Sequence, residues 1–97
     1  MASYMIIEIQ VHDPSLYQRY VDAVPDIVGR YGGRYLARGG RVTSLSDEWQ
    51  PERVILLEFD TREQLDACFH SDDYATIAPW REASTRSRAI IVEGCRS

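Results

Sequence analysis

The sequence predicts an α+β protein with a βαββαβ, ferredoxin-like order: a four-stranded antiparallel sheet with its helices on one face, joined sheet to sheet with a second copy as a dimeric α/β barrel. Three observations lead there. Runs of period two alternate with runs of period three to four in that order. One face of the strands collects only apolar side chains. The opposite face is half apolar as well, which leaves a surface needing cover.

Tyr4 to Val11 reads as the first strand, with Met5, Ile7, Ile9 and Val11 on one face and Tyr4, Ile6, Glu8 and Gln10 on the other. Asp13 suits a helix N-cap and Pro14 the first helical position, where its missing N–H costs nothing. Leu16, Tyr17, Tyr20, Val21, Val24, Ile27, Val28 and Tyr31 then recur at helical spacing to about Tyr31. Pro25 falls inside this helix and predicts a kink or a split. Gly32 serves as its left-handed cap.

Arg34 to Arg38 reads as the second strand, with Gly39-Gly40 as a bulge or turn and Arg41 to Leu45 as a continuation. The polar stretch Ser46 to Glu52 is a loop, and Arg53 to Asp60 is the strongest strand. Thr61 and Gln64 have capping-box spacing and open a short helix whose buried face is Leu65, Cys68 and Phe69. Ser71 caps another, which Pro79 interrupts before a last turn from Trp80 to about Ser84. Arg88 to Glu93 is the final strand. Right-handed crossovers place the first and third main strands side by side, running parallel, at the centre.

On this reading Met5, Ile7, Ile9, Val11, Ile55, Leu57, Phe59, Ile90 and Val92 lie under the helices. Tyr4, Ile6, Val54, Leu56, Ala89 and Ile91 face away, with Glu8, Gln10, Glu58 and Glu93 among them. Leaving the five large apolar ones wet would forgo on the order of 7–15 kcal/mol. A twofold-related copy is the simplest cover. A chain of 97 residues is one domain, and a domain this small gains most from such extra burial.

Composition narrows the function. The net charge is −4, and all eleven basic residues are scattered arginines, so there is no basic stripe for nucleic acid. No stretch reaches the roughly 18 apolar residues of a membrane span, and the first residues do not form a signal peptide. Cys68 and Cys95 have no metal or redox spacing and read as free thiols of a cytoplasmic protein. The two histidines form no metal-binding pair, and neither a metal nor a cofactor is expected. Nucleophile elbows and phosphate-binding loops are absent.

What remains is a small-molecule pocket between sheet and helices. Its expected lining is Glu8, Tyr17, Arg38, Glu58, Tyr74 and Arg81. Parallel central strands would gather Glu8, Gln10 and Glu58 at one end; the alternative is that Glu8 and Glu58 pair with arginines such as Arg34 or Arg38. Tyr74 and Arg81 are seven residues apart, on one helical face, and the planar fork of Arg81 suits a carboxylate ligand. A structural ion pair with a carboxylate is the other reading of Arg81. Tyr17 and Tyr20 lie near the helix entry, and Trp49 and Trp80 line the same mouth or cap the core. His12, at the strand-to-helix junction, and Glu58 are the candidates for a base.

Asp13-Pro14 with Tyr17 and Tyr20, the segment from Gly33 to Gly40, Trp49-x-Pro51-x-Arg53, Ser71-x-x-Tyr74, Arg81 and the closing Ile91 to Gly94 form an ordered set. Together they resemble the domain-of-unknown-function 1330 family of the dimeric α/β-barrel superfamily. That resemblance implies the fold and the homodimer. The superfamily includes cofactor-free monooxygenases, lactone isomerases, haem-degrading enzymes and stress-response proteins, and fold alone does not choose among them. The expected function is therefore binding of a small acidic or aromatic molecule. The alternatives are a cofactor-free monooxygenase or isomerase, and a non-catalytic dimeric interaction module.

Overall fold

In the computed structural model, which describes residues 1–95, the chain runs β1 (Ser3–Val11), α1 (Pro14–Arg30), β2 (Arg34–Arg38), β3 (Arg53–Phe59), α2 (Arg62–Phe69), α3 (Asp72–Ser84) and β4 (Thr85–Glu93). The strands form one sheet in the order β2-β3-β1-β4, with each neighbouring pair antiparallel. This is the expected ferredoxin-like α+β architecture. The central pair corrects one expectation: β1 and β3 run antiparallel, not parallel. The crossover through α1 brings β2 back parallel to β1, and β3 then reverses against β2.

The helices begin and end as local chemistry requires. The Asp13 carboxylate accepts the Leu16 N–H at 3.2 Å, and Pro14 opens α1. At its other end Gly32 takes φ +81°. The Gly33 N–H then reaches the Val28 carbonyl and the Gly32 N–H reaches Gly29, which is a Schellman closure. Thr61 and Gln64 cap each other's backbone N–H groups at 3.1 Å and start α2. The Ser71 hydroxyl accepts the Tyr74 N–H and starts α3.

Both helices with an internal proline run on as single elements, against the expected interruption at Pro79 and without the split that was one of the two expectations at Pro25. α1 continues through Pro25 and α3 through Pro79. A proline removes one donor without ending a helix whose apolar stripe is buried on both sides of it. In α1 that stripe is Tyr17, Tyr20, Val24, Ile27 and Val28, and it packs with Ile9, Ile55, Leu57, Phe59, Leu65, Cys68, Tyr74 and Ile77 into one core.

β4 begins at Thr85, directly out of α3, three residues before its expected start. Its register pairs Thr85 with Val11, Ser87 with Ile9, Ala89 with Ile7 and Ile91 with Met5. Ser87, Ala89 and Ile91 therefore share the helix-side face, and Ile90 and Val92 lie on the open face, the reverse of the expected parity. The open face becomes more apolar for it. Tyr4, Ile6, Val54 and Leu56 are joined by Leu36, Ile90 and Val92, which are 54%, 59% and 42% exposed.

Residues 39–52 form a loop rather than a continued strand; only an isolated bridge between Ser46 and Trp49 interrupts it. The loop folds toward the open face. The Trp49 indole N–H donates to Glu8 at 2.9 Å, and the Glu52 carboxylate accepts the Val11 N–H.

Candidate functional site

Antiparallel pairing separates the two carboxylates that a parallel sheet would have gathered. Glu58 lies opposite Tyr4, and Glu8 lies four residues along β1, opposite Val54. Both are on the open face, at different ends, and each is already matched. Glu58 accepts from Tyr4 at 2.8 Å and pairs with Arg34 at 2.6 Å. Glu8 accepts from Trp49 and pairs with Arg88 at 2.6 Å. The Tyr4 hydroxyl and the Arg34 guanidinium hold the Glu58 carboxyl below its ordinary pKa, and Arg88 and Trp49 do the same for Glu8. A wide groove of about 550 Å³ runs beside Glu8, between the loop at Gln50–Glu52 and the Arg86–Arg88 end of β4. Its charges are of both signs, two of each, and Glu8 and Arg88 are paired with each other, so it favours neither an anion nor a cation.

The other side of the sheet differs. A small cavity of about 30 Å³ lies between α1 and the strands, room for a water or two. Its walls are apolar (Ile7, Ile9, Val24, Ile55 and Leu57), and its polar groups are tyrosines and arginines. Tyr17 and Tyr20 come from α1, Tyr35 and Arg38 from β2, Arg53 from the first position of β3 and Arg81 from α3. No carboxylate and no imidazole is among its lining residues.

Each arginine is held in place by groups other than acids. Arg53 donates from Nε to the Tyr17 hydroxyl at 3.1 Å and lies over the Tyr17 ring, 5.4 Å from its centre. On its other flank is Gly39, whose φ of +75° ends β2. Arg38 lies 5.0 Å from the centre of the Tyr35 ring and donates to the Val21 carbonyl at 2.9 Å. That carbonyl sits four residues before Pro25, which has no N–H to give it. Arg81 donates from Nε to the Tyr74 hydroxyl at 3.2 Å and from Nη1 to the Ser87 hydroxyl at 2.6 Å. Among the described residues none of the three forms an ion pair.

Burial favours the protonated form of Tyr20 and Tyr35. The Tyr20 and Tyr74 hydroxyls are 2.9 Å apart in the interior. Burial and the neighbouring Tyr74 push the Tyr20 pKa far above the ordinary phenol value. Burial raises Tyr35 to about 12. Burial opposes the charge of Arg81, but the Tyr74 and Tyr20 hydroxyls hold its pKa above the usual arginine value. The cavity is thus a cationic slot with neutral hydroxyl donors.

Of the expected lining, Tyr17, Arg38 and Arg81 line this slot, and Tyr74 stands directly behind it. Glu8 and Glu58 do not, because they point to the other side of the sheet. His12 is exposed at the β1–α1 junction and does not line the cavity. The two tryptophans are also divided: Trp49 reaches Glu8 on the open side, and Trp80 carries the Arg19 guanidinium 4.5 Å above its ring. Arg53 and Tyr35 were not foreseen in the site. Arg53 stood in plain view in the Trp49-x-Pro51-x-Arg53 segment.

Known structures of this shape are numerous. A Rhodopseudomonas palustris protein of unknown function superposes with a TM-score of 0.81 at 15% identity, covering 99% of this chain and 84% of its own. A dimeric ferredoxin-like protein of unknown function from Jannaschia gives 0.71 at 16% identity, covering 97% and 100%. SnoaB, a cofactor-independent oxygenase from Streptomyces nogalater, gives 0.68 at 9% identity, covering 99% and 95%. At such identities the likeness establishes the fold alone. No functionally curated protein matches the chain. A sequence family does match, over residues 2–95, and with it the ordered motifs and the sheet topology agree: the chain belongs to the domain of unknown function family DUF1330.

Proposed function

We propose that the protein binds a small organic acid in the cavity between sheet and helices, as a cytoplasmic homodimer. The observation that carries the ligand reading is the convergence of Arg38, Arg53 and Arg81 on one slot with no carboxylate to answer them. In a chain of net charge −4, arginines more often find acidic partners, as Arg34 and Arg88 do here. An organic anion would supply the missing charge, with bidentate geometry at the guanidinium forks. At about 30 Å³ the slot admits such a ligand only as its mouth rearranges, and Arg38 is the exposed side chain at that mouth. The test is thermal melting of the protein against a panel of aliphatic and aromatic acids at millimolar concentration. A rise in Tm with acids, absent for their amides and reduced by Arg53→Met or Arg81→Met, supports the reading. No shift with any acid rejects it.

The homodimer follows from the open face. Seven apolar side chains there would bury against a second sheet for a gross gain on the order of 10 kcal/mol, before the cost of association. The dimeric ferredoxin-like neighbour supports this. The cytoplasmic assignment rests on Cys68 and Cys95, both free.

A second reading, a cofactor-free oxygenase or isomerase, is favoured by the likeness to SnoaB. In this chain the group that moves a proton would be a tyrosine, because the cavity holds no other titratable candidate besides its arginines. Oxygen consumption with an enolisable or phenolic acid, lost in Tyr17→Phe or Tyr20→Phe, would distinguish it from binding alone.

A further inference from the structure

The cations of the slot are not clustered; they stand at its two sides. Arg53 and Ser87 each pair with Ile9, in one row across β3, β1 and β4. All three face the helices. Arg53 occupies one end of the row, and Arg38, which pairs with Ile55 of the same strand, reaches the slot from the same side of the sheet. At the other end Arg81 is fixed on the Ser87 hydroxyl. Two strand spacings, about 10 Å, separate the backbones of Arg53 and Ser87, and the Arg53 guanidinium lies on the far side, against Gly39. Between them lies the apolar side chain of Ile9.

We infer that the ligand is a diacid: two carboxylates separated by a short apolar chain, one held by Arg53 and Arg38 and the other by Arg81. This rests on the reading of the slot as an organic-acid site and narrows it. A single carboxylate bound at either end leaves the opposite guanidinium with nothing but neutral oxygens. For Arg81 these are the Tyr74 and Ser87 hydroxyls, which satisfy its hydrogen bonds but not its charge. One small carboxylate cannot span both ends. Ile9, Ile7 and Val24 supply an apolar wall for the chain between the acid groups. The protein's overall negative charge offers such a ligand no long-range attraction, so its recognition is local to the slot.

The experiment compares succinate, glutarate and adipate with butyrate, pentanoate and hexanoate on the full-length protein, by melting temperature and by calorimetry at fixed ionic strength. Inorganic phosphate is included as a compact anion. The expected result is that one diacid of the series binds at least ten-fold more tightly than the monoacid of its own length. Arg53→Met and Arg81→Met each bring it down to the monoacid level, while Arg53→Lys and Arg81→Lys, which keep the charge, retain part of the preference. Equal binding of diacid and monoacid overturns the two-ended slot and leaves the organic-acid reading standing. Phosphate binding as tightly as the best diacid also overturns it, by placing a compact anion at one end. Failure of every acid overturns both.

Discussion

Gly39 joins the fold to the proposed site, and replacing it with alanine separates two effects that can be measured independently. Its φ of +75° lies where a side chain clashes with its own backbone. Placing an L-residue there costs about 1–2 kcal/mol. The new methyl would also stand 2.5 Å from Cζ and 2.6 Å from Nη2 of Arg53. A guanidinium is the far end of a flexible chain, so it moves aside at little further cost to stability, and the Tyr17 contact goes with it. For a chain of this size 1 kcal/mol lowers Tm by roughly 4–8 °C. Gly39→Ala should therefore melt at least that much lower at one fixed protein concentration, and bind organic acids more weakly than that loss of stability explains. Gly40→Ala is the control: it has open space at its Cβ position and no left-handed φ, so it should stay within about 0.5 kcal/mol of the parent. If the two variants melt together and bind alike, neither the left-handed turn nor the placement of Arg53 against it is needed.

Other consequences are simpler to check. Tyr74→Phe removes the hydroxyl shared by Tyr20 and Arg81, and leaving a buried Tyr20 O–H unpartnered should cost about 1–3 kcal/mol, read as a lower urea midpoint with unchanged slope. Ile90→Glu puts a charge on the exposed β4 side of the open face and should shift sedimentation from dimer to monomer while the helical signal persists; a variant that stays dimeric removes that part of the face from the interface. Tyr20 and Tyr35 have folded pKa values raised above the unfolded value of about 10, Tyr35 to about 12. Their contribution is therefore complete below pH 10 and is lost as the pH climbs through 12. An alkaline melting series should show that loss, and Tyr35→Phe should soften it.

Which parts could be read from the sequence depended on how each segment breaks its own symmetry. β1 carries Glu8 and Gln10 between apolar residues, so its phase was fixed before any partner was considered. Ala89 to Val92 are four apolar residues in succession, so β4 has no phase of its own. The pairing of Thr85 with Val11 supplies it. The direction of β3 was a matter of topology: one crossover followed by one reversal makes β1 and β3 antiparallel, and reading them as parallel moved Glu58 to the wrong end. The alternative in which the carboxylates pair with arginines held for Glu58 with Arg34. Tyr74 and Arg81 were visible through helical spacing alone, because α3 does not break at Pro79. The residue Arg53 was visible, but its place in the site was not, for a physical reason. Its role comes from Tyr17 and Gly39, 36 and 14 positions away along the chain, and no local pattern encodes that meeting.

The oxygen on which Arg38 rests belongs to the main chain, so no change of side chain at position 21 can abolish it. Residue 25 controls it instead, because an amide there would complete the helical bond and compete with the guanidinium for the same acceptor. Pro25→Ala should free Arg38 to turn inward and strengthen acid binding, through a position that does not itself line the cavity. A flaw in a helix thereby becomes a dial on the threshold of the slot.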